Sequence, residues 1–239
     1  MMLSVVMPAY EKEGVIIDAI ARVDRCLADR KHEIIVVDDG STDRTFELAR
    51  ETKIKNVKVL RYEKNGGKGN ALKYGSLFAK GGLIAFVDAD LDLNPDKLPE
   101  FIKIMKMEDA DIVVGSKRHP ESLVDYPLQR KILSDAYYYL FARLFFGLDV
   151  KDTQAGMKLF RREALDRVLR RILCKRYAFD MELLVNANHL GYKIVEAPVN
   201  LKYKFSGTGI NFMAVWNMFV DTAAIFYRMH ILRYYDRRI

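Results

Sequence analysis

Two short, wholly apolar runs that each end in aspartates constrain this chain more than any other feature. Leu83 to Val87 carries no polar side chain and passes directly into Asp88-Ala89-Asp90-Leu91-Asp92, while Ile34 to Val37 passes into Asp38-Asp39-Gly40. Runs of strand length without interruption, the first bounded by Gly81-Gly82 and Asn94-Pro95, fit parallel strands covered on both faces by helices. Their acidic ends then share one rim of a sheet, the rim where open α/β sheets bind ligands. Aspartates crowded on one rim repel each other unless a cation joins them. An oxygen-only donor set suits a hard ion such as Mg²⁺ or Mn²⁺, which keeps waters and accepts further oxygens from phosphate. The plainer reading of each stretch is a turn, with Asp92 capping a helix near Pro95 and Asp38-Asp39-Gly40 closing a tight loop.

The rest of the chain alternates in the same way. Leu3 to Met7 reads as a first strand, Pro8 to Glu13 as its exit loop, and Val15, Ile16, Ala19, Ile20, Val23 and Leu27 as one face of a helix. No glycine precedes Gly14, so the glycine-rich turn of a dinucleotide-binding site is missing, which argues against an NAD enzyme. Ser41 or Thr42 is placed to cap a helix over 46–49. Val57 to Leu60 is a third strand. Asn65-Gly66-Gly67-Lys68-Gly69 then opens a helix as a phosphate-facing loop or a plain flexible connection, without the Walker spacing. A helix over 96–107 precedes a strand from Ile112 that runs out into Lys117 and Arg118, and Lys193 to Pro198 reads as an edge strand. Aromatic residues at helical spacing fill 130–146, a stripe that suits core or a lipid-facing groove. The pattern predicts an α/β fold, a mostly parallel central sheet flanked by helices, as one domain over residues 1–209.

Residues 210–239 differ in character. Large apolar residues with Trp216 are followed by Arg228, Arg233, Tyr234, Tyr235, Arg237 and Arg238. Such a segment forms an amphipathic helix that either lies in a membrane surface or packs on the domain. The formal charge of +7 asks for an anionic partner, whether nucleotide, lipid phosphate, membrane surface or nucleic acid. Acidic rims would repel nucleic acid, and absence of tight, steeply salt-dependent oligonucleotide binding is the check. Cys26 and Cys174 lack the spacing of a zinc site or a disulfide framework, which fits a reducing cytosol. No apolar run reaches the roughly 18 residues of a membrane span, and the N-terminus lacks the basic region and long apolar core of a signal peptide.

Pro8-Ala9-Tyr10, the stretch from Val37 to Asp43, Gly67-Lys68-Gly69, Asp88-Ala89-Asp90, Gly115-Ser116, the stretch from Asp152 to Phe160, and Phe179-Asp180-Met181-Glu182-Leu183-Leu184 together resemble the family 2 glycosyltransferases. In order and spacing they are similar to the dolichyl-phosphate mannose or glucose synthases over about residues 3–209. The resemblance implies a GT-A fold, a nucleotide-diphosphate-sugar donor (GDP-mannose or UDP-glucose), Mg²⁺ or Mn²⁺, and a polyprenyl or dolichyl phosphate acceptor at the cytosolic membrane face. Carried onto this chain, it implies that Pro8, Tyr10, Glu11, Asp39, Lys68, Asp88, Ala89 and Asp90 line the donor. It puts Asp88, Asp90 and Asp92 around the metal, and Asp152, Arg130, Ser134, Lys204 and Lys117 beside the acceptor. Three positions depart from the pattern: Glu11 stands for asparagine, Asp135 for a basic residue, and Lys117 for an arginine, keeping the charge but losing the bidentate fork.

The implied reaction is an inverting single displacement in which an acceptor phosphate oxygen attacks the anomeric carbon. A phosphate nucleophile needs no strong base, so Asp152 orients it; a sugar-hydroxyl acceptor, the alternative within the class, would make Asp152 the base. A non-catalytic nucleotide or nucleic-acid binder is the alternative from another class.

Overall fold

The computed structural model describes residues 1–124, 142–175, 178–201 and 212–236. Strands β1 (Leu3–Ala9), β2 (His32–Asp38), β3 (Val57–Arg61), β4 (Leu83–Phe86), β5 (Ile112–Ser116), β7 (Lys158–Arg161) and β8 (Ile194–Pro198) make one sheet in the order β3-β2-β1-β4-β7-β5-β8. All neighbours pair in parallel except those of β7, which runs antiparallel to β4 and to β5. A small ribbon pairs β6 (Leu123–Val124) with β9 (Asn200–Leu201). The expected edge strand, β8, is at the edge. The fold is α/β with a mixed, mostly parallel sheet.

The apolar runs read as doubly covered strands because successive residues feed opposite layers. Val6, Ile35, Val37, Ile84, Phe86, Ile112 and Val114 belong to one core, and Leu3, Val5, Met7, Ile34, Val36, Ala85 and Val113 to the other. Helices α1 (Ile16–Cys26) and α4 (Leu98–Met107) cover the second layer through Ile16, Ala19, Ile20 and Val23 and through Leu98, Phe101, Ile102 and Met105. Helices α3 (Lys68–Phe78), α6 (Arg162–Leu169) and α7 (Phe179–His189) cover the first. Two shorter elements are α2 (Thr45–Arg50) and the single turn α5 (Leu144–Phe146).

Helix starts differ from expectation. Neither Ser41 nor Thr42 caps α2; the Ser41 hydroxyl accepts the Glu11 N–H at 3.0 Å, and Asp43 accepts the Thr45 N–H at 3.0 Å instead. Asn94, not Asp92, caps the turn Pro95–Lys97 that leads into α4, accepting the Asp96 N–H at 3.0 Å. Side-chain oxygens here stitch one loop to the next, so spacing alone misassigns them.

Helix α8 (Phe212–Phe226) continues through the wide turn Tyr227–Ile231. Ile225 and Tyr235 are buried in the first core layer, and the His230 ring meets the Phe145 carbonyl at 2.9 Å. Tyr227, Ile231 and Leu232 remain exposed. Among the described residues, no helix is long and apolar enough to cross a membrane. Cys26 and Cys174 are free.

Candidate active site

Strand order reverses between β1 and β4: β2 and β3 extend the sheet on one side of β1, β4 on the other. That switch point is where a crevice opens at the carboxyl ends of the strands. A cavity of about 420 Å³ is found there, lined by Pro8, Ala9, Tyr10, Lys12, Asp39, Asn65, Gly67, Lys68, Asp88, Ala89, Asp90, Gln154 and Asp180. Seven residues implied by the resemblance therefore meet in one place: Pro8, Tyr10, Asp39, Lys68, Asp88, Ala89 and Asp90.

Asp39 shapes the glycine loop. Its two carboxylate oxygens accept the Gly66 and Gly67 N–H groups, each at 2.8 Å, and its own N–H donates to the Ala9 carbonyl at 2.8 Å. Gly67 adopts φ +92° with ψ 152°, a region open only to glycine, and so turns the chain into α3 with Lys68 as its first residue. The Phe179 ring packs so closely that a Cβ on Gly69 would lie 2.5 Å from it. The Gly69 N–H donates to the Lys175 carbonyl at 3.0 Å.

From Lys68 inward, charges alternate. Its ammonium lies 2.7 Å from Asp88 Oδ1, 2.8 Å from Asp88 Oδ2 and 3.9 Å from Asp180 Oδ2. Asp180 Oδ1 in turn accepts from Lys158 Nζ at 2.6 Å, and Lys158, fully buried on β7, also donates to the Ala155 carbonyl at 2.6 Å. Burial works against the Lys68 charge, but Asp88 and Asp180 outweigh it and hold the ammonium above the usual lysine range. Burial likewise opposes the Asp180 charge, yet Lys158 and Lys68 keep that carboxyl below the usual range. At Asp88 burial wins: with Asp90 adding to it, the carboxyl is pushed up although Lys68 pulls it back.

Other implied residues lie off the cavity. Asp152 is buried; one oxygen accepts the Lys117 N–H at 3.0 Å and faces Lys117 Nζ at 3.1 Å, while the other accepts the Gln154 N–H at 3.2 Å. Lys117 and Asp152 are thus brought together, though neither lines the cavity. Glu11 spends its carboxylate on the Thr42 N–H and hydroxyl, at 2.9 and 3.0 Å, bracing the loop outside the cavity. Arg130, Ser134 and Lys204 lie outside the described residues. Lys12, Asn65, Gly67, Gln154 and Asp180 line the cavity without having been singled out for it; the quoted motifs around Gly67, Gln154 and Asp180 carried the usable signal.

Residues 4–169 match the family model described as glycosyl transferase family 2. The chain belongs to that family. A dolichyl-phosphate beta-glucosyltransferase of Dictyostelium discoideum is 34% identical over 219 residues, covering 83% of this chain and 65% of the relative. One of Trichomonas vaginalis is 32% identical, covering 99% of this chain and 77% of the relative. The glycosyltransferase AglD of Haloferax volcanii is 30% identical over 84% of this chain and only 33% of its own length. The chain therefore spans about two thirds of the first of these proteins and one third of the last. In fold, this family 2 chain is similar to glucosyl-3-phosphoglycerate synthase of Mycobacterium tuberculosis, solved with Mn²⁺, UDP-glucose and glycerol 3-phosphate, at a TM-score of 0.70 and 22% identity over 95% of this chain and 79% of that one. The likeness supports a GT-A architecture.

For a metal, the donor set is the test. Among the described residues no group of three or more His, Cys, Asp or Glu side chains gathers, so the expected trio of Asp88, Asp90 and Asp92 does not assemble. Leu91 turns the chain with φ +60°, and Asp92 ends exposed, its N–H donating to Asp90 Oδ1 at 3.1 Å. Asp88 and Asp90 remain as an oxygen-only pair facing the cavity. Two carboxylates fit Mg²⁺ or Mn²⁺ when diphosphate and water oxygens complete the shell.

Proposed function

We propose that this family 2 transferase moves a hexose from a nucleotide-diphosphate sugar to a polyprenyl phosphate of the dolichyl type, with inversion at the anomeric carbon. The observation that carries the reading is the convergence of Asp88, Asp90 and Lys68 on one cavity at the ends of β1, β2 and β4. The names of the dolichyl-phosphate beta-glucosyltransferase relatives favour UDP-glucose over GDP-mannose as donor.

Pro8 and Tyr10 on one wall and Asp39 on the other frame the nucleoside. Asp39, with one lone pair on each oxygen spent on glycine amides, accepts from the base or ribose with those that remain. Lys68 faces the diphosphate. A divalent cation at Asp88 and Asp90 supplies stabilisation of the charge that develops on the leaving diphosphate. An oxygen of the acceptor phosphate forms the new bond to the anomeric carbon as the bond to the nucleoside diphosphate breaks. That phosphate is anionic at neutral pH and needs no general base. Asp152, its oxygens engaged by Lys117 and the Gln154 N–H, positions the acceptor side of the site. Arg130, Ser134 and Lys204 hold the acceptor phosphate in line. Exposed Tyr227, Ile231 and Leu232 beside Arg233 support docking of the C-terminal segment on the cytosolic face of a membrane.

The test is transfer of radiolabel from UDP-glucose and from GDP-mannose, separately and with Mn²⁺, into an organic-extractable product on a short polyprenyl phosphate. Label in the organic phase from one donor establishes reaction and donor together. Donor consumption or binding with no lipid product refutes the lipid acceptor and turns the search to hydroxyl acceptors.

A further inference from the structure

We propose that Lys68 is a built-in counter-cation, occupying the carboxylate of Asp88 until a nucleoside diphosphate draws it away, so that divalent cation and donor load as one unit. The inference rests on the reading above that Asp88 and Asp90 hold the cation.

The geometry favours an exchange. One ammonium takes both oxygens of Asp88, at 2.7 and 2.8 Å. Asp88 Oδ2 also lies against the Gly156 backbone, in the space that a Cβ there would fill. Each Asp88 oxygen keeps a lone pair, but a cation bound there would sit beside the ammonium, and two positive charges within one hydrogen-bond shell repel strongly at a partly buried site, which favours displacement of the lysine. A second acceptor stands ready: Asp180 Oδ2 is 3.9 Å from Lys68 Nζ, while Asp180 Oδ1 stays committed to the buried Lys158. The row Asp88, Lys68, Asp180, Lys158 is electrically neutral. A dication arriving alone finds Asp88 already compensated, whereas a dication arriving with a diphosphate brings the anion that Lys68 can follow into the cavity. Diphosphate and cation thereby raise each other's affinity, and the coupling is reciprocal.

The test is Mn²⁺ binding without turnover, read from the electron paramagnetic resonance signal of the free ion. The 239-residue chain is titrated alone and with UDP or GDP, each against a protein-free blank because diphosphates chelate Mn²⁺ themselves. In the unsubstituted chain the diphosphate should tighten Mn²⁺ by about tenfold or more. Lys68→Met, which removes the charge and keeps the length, should bind Mn²⁺ alone about tenfold tighter than the parent and lose most of the diphosphate effect; Lys68→Arg should behave as the parent does. Lys68→Met binding Mn²⁺ alone no tighter than the parent overturns the role of the lysine. Should that variant fold poorly by thermal melt, Lys68→Gln gives the same reading, and absence of diphosphate-dependent tightening in the parent overturns the coupling by itself. No Mn²⁺ binding under any condition would instead remove the metal assignment beneath it.

Discussion

Lys158→Met tests whether the buried pair beneath the site is structural. Lys158 is 1% exposed and has two partners for its ammonium, Asp180 Oδ1 and the Ala155 carbonyl, both at 2.6 Å. Removing it leaves the Asp180 carboxylate buried, with the Lys68 ammonium 3.9 Å away. Breaking a buried ion pair from one side costs about 3–5 kcal/mol, because the remaining charge loses its compensation. Set against a total stability of about 5–15 kcal/mol, that is a large fraction. At about 2–4 °C per kcal/mol for a chain of this size, the melting temperature should fall by roughly 6–20 °C. The double variant Lys158→Met with Asp180→Asn leaves neither charge stranded and should recover part of the loss, with a coupling of about 1–3 kcal/mol. Urea unfolding of the four proteins, followed by circular dichroism, measures the cycle. Additivity within about 0.5 kcal/mol would refute the pairing as a source of stability, whatever the distance between the two groups.

Gly156→Ala places a methyl group against Asp88 Oδ2 and should weaken Mn²⁺–UDP binding by about tenfold or more, measured by calorimetry on a protein whose far-ultraviolet spectrum is unchanged. Asp90→Ala should abolish sugar transfer without unfolding, since its side chain is only partly buried; retained turnover would sink the metal assignment. Tyr235→Phe removes the hydroxyl that donates to the buried Glu182 carboxylate at 2.5 Å, a loss of about 1.5–3 kcal/mol visible as a lower urea midpoint. Burial pushes the thiols of Cys26 and Cys174 up to about 12, so the thiolate fraction at pH 8 is about 10⁻⁴. At pH 8 iodoacetamide should label neither until urea unfolds the chain, whereas in the folded protein labelling should rise only as pH climbs towards 12; rapid labelling of the folded protein at pH 8 contradicts the burial.

The strands were legible because apolar runs of four or five residues ending at aspartates leave few alternatives, and β2 and β4 run as read. The reversal of β7 was not. Its sequence, Lys-Leu-Phe-Arg, opens with a charge that looks like a solvated strand end. In the structure that charge is buried because its partner, Asp180, arrives 22 residues later at the start of a helix. Tertiary pairing of this kind leaves no periodic trace. The same holds for Asp92: alternate spacing suggested a third carboxylate on the rim, but the left-handed turn at Leu91 carries it away, and nothing in a leucine announces that conformation.

The C-terminal segment shows why one pattern supported two expectations, packing and surface contact. Asp180 and Glu182 stand two residues apart on α7, about 200° around a helix, and so serve opposite sides. Asp180 lines the cavity, while Glu182 accepts the Tyr235 hydroxyl at 2.5 Å, faces Arg228 at 3.1 Å and accepts the Leu173 and Cys174 N–H groups at 2.9 and 2.6 Å. The helix that carries a cavity carboxylate is thus also the anchor of the C-terminal residues. Thr222, Ile225 and Tyr235 are buried, whereas Phe219, Val220, Tyr227, Ile231 and Leu232 are exposed. Helical spacing separates two apolar faces but does not say what covers either one. Here the domain covers one, and the other stays exposed.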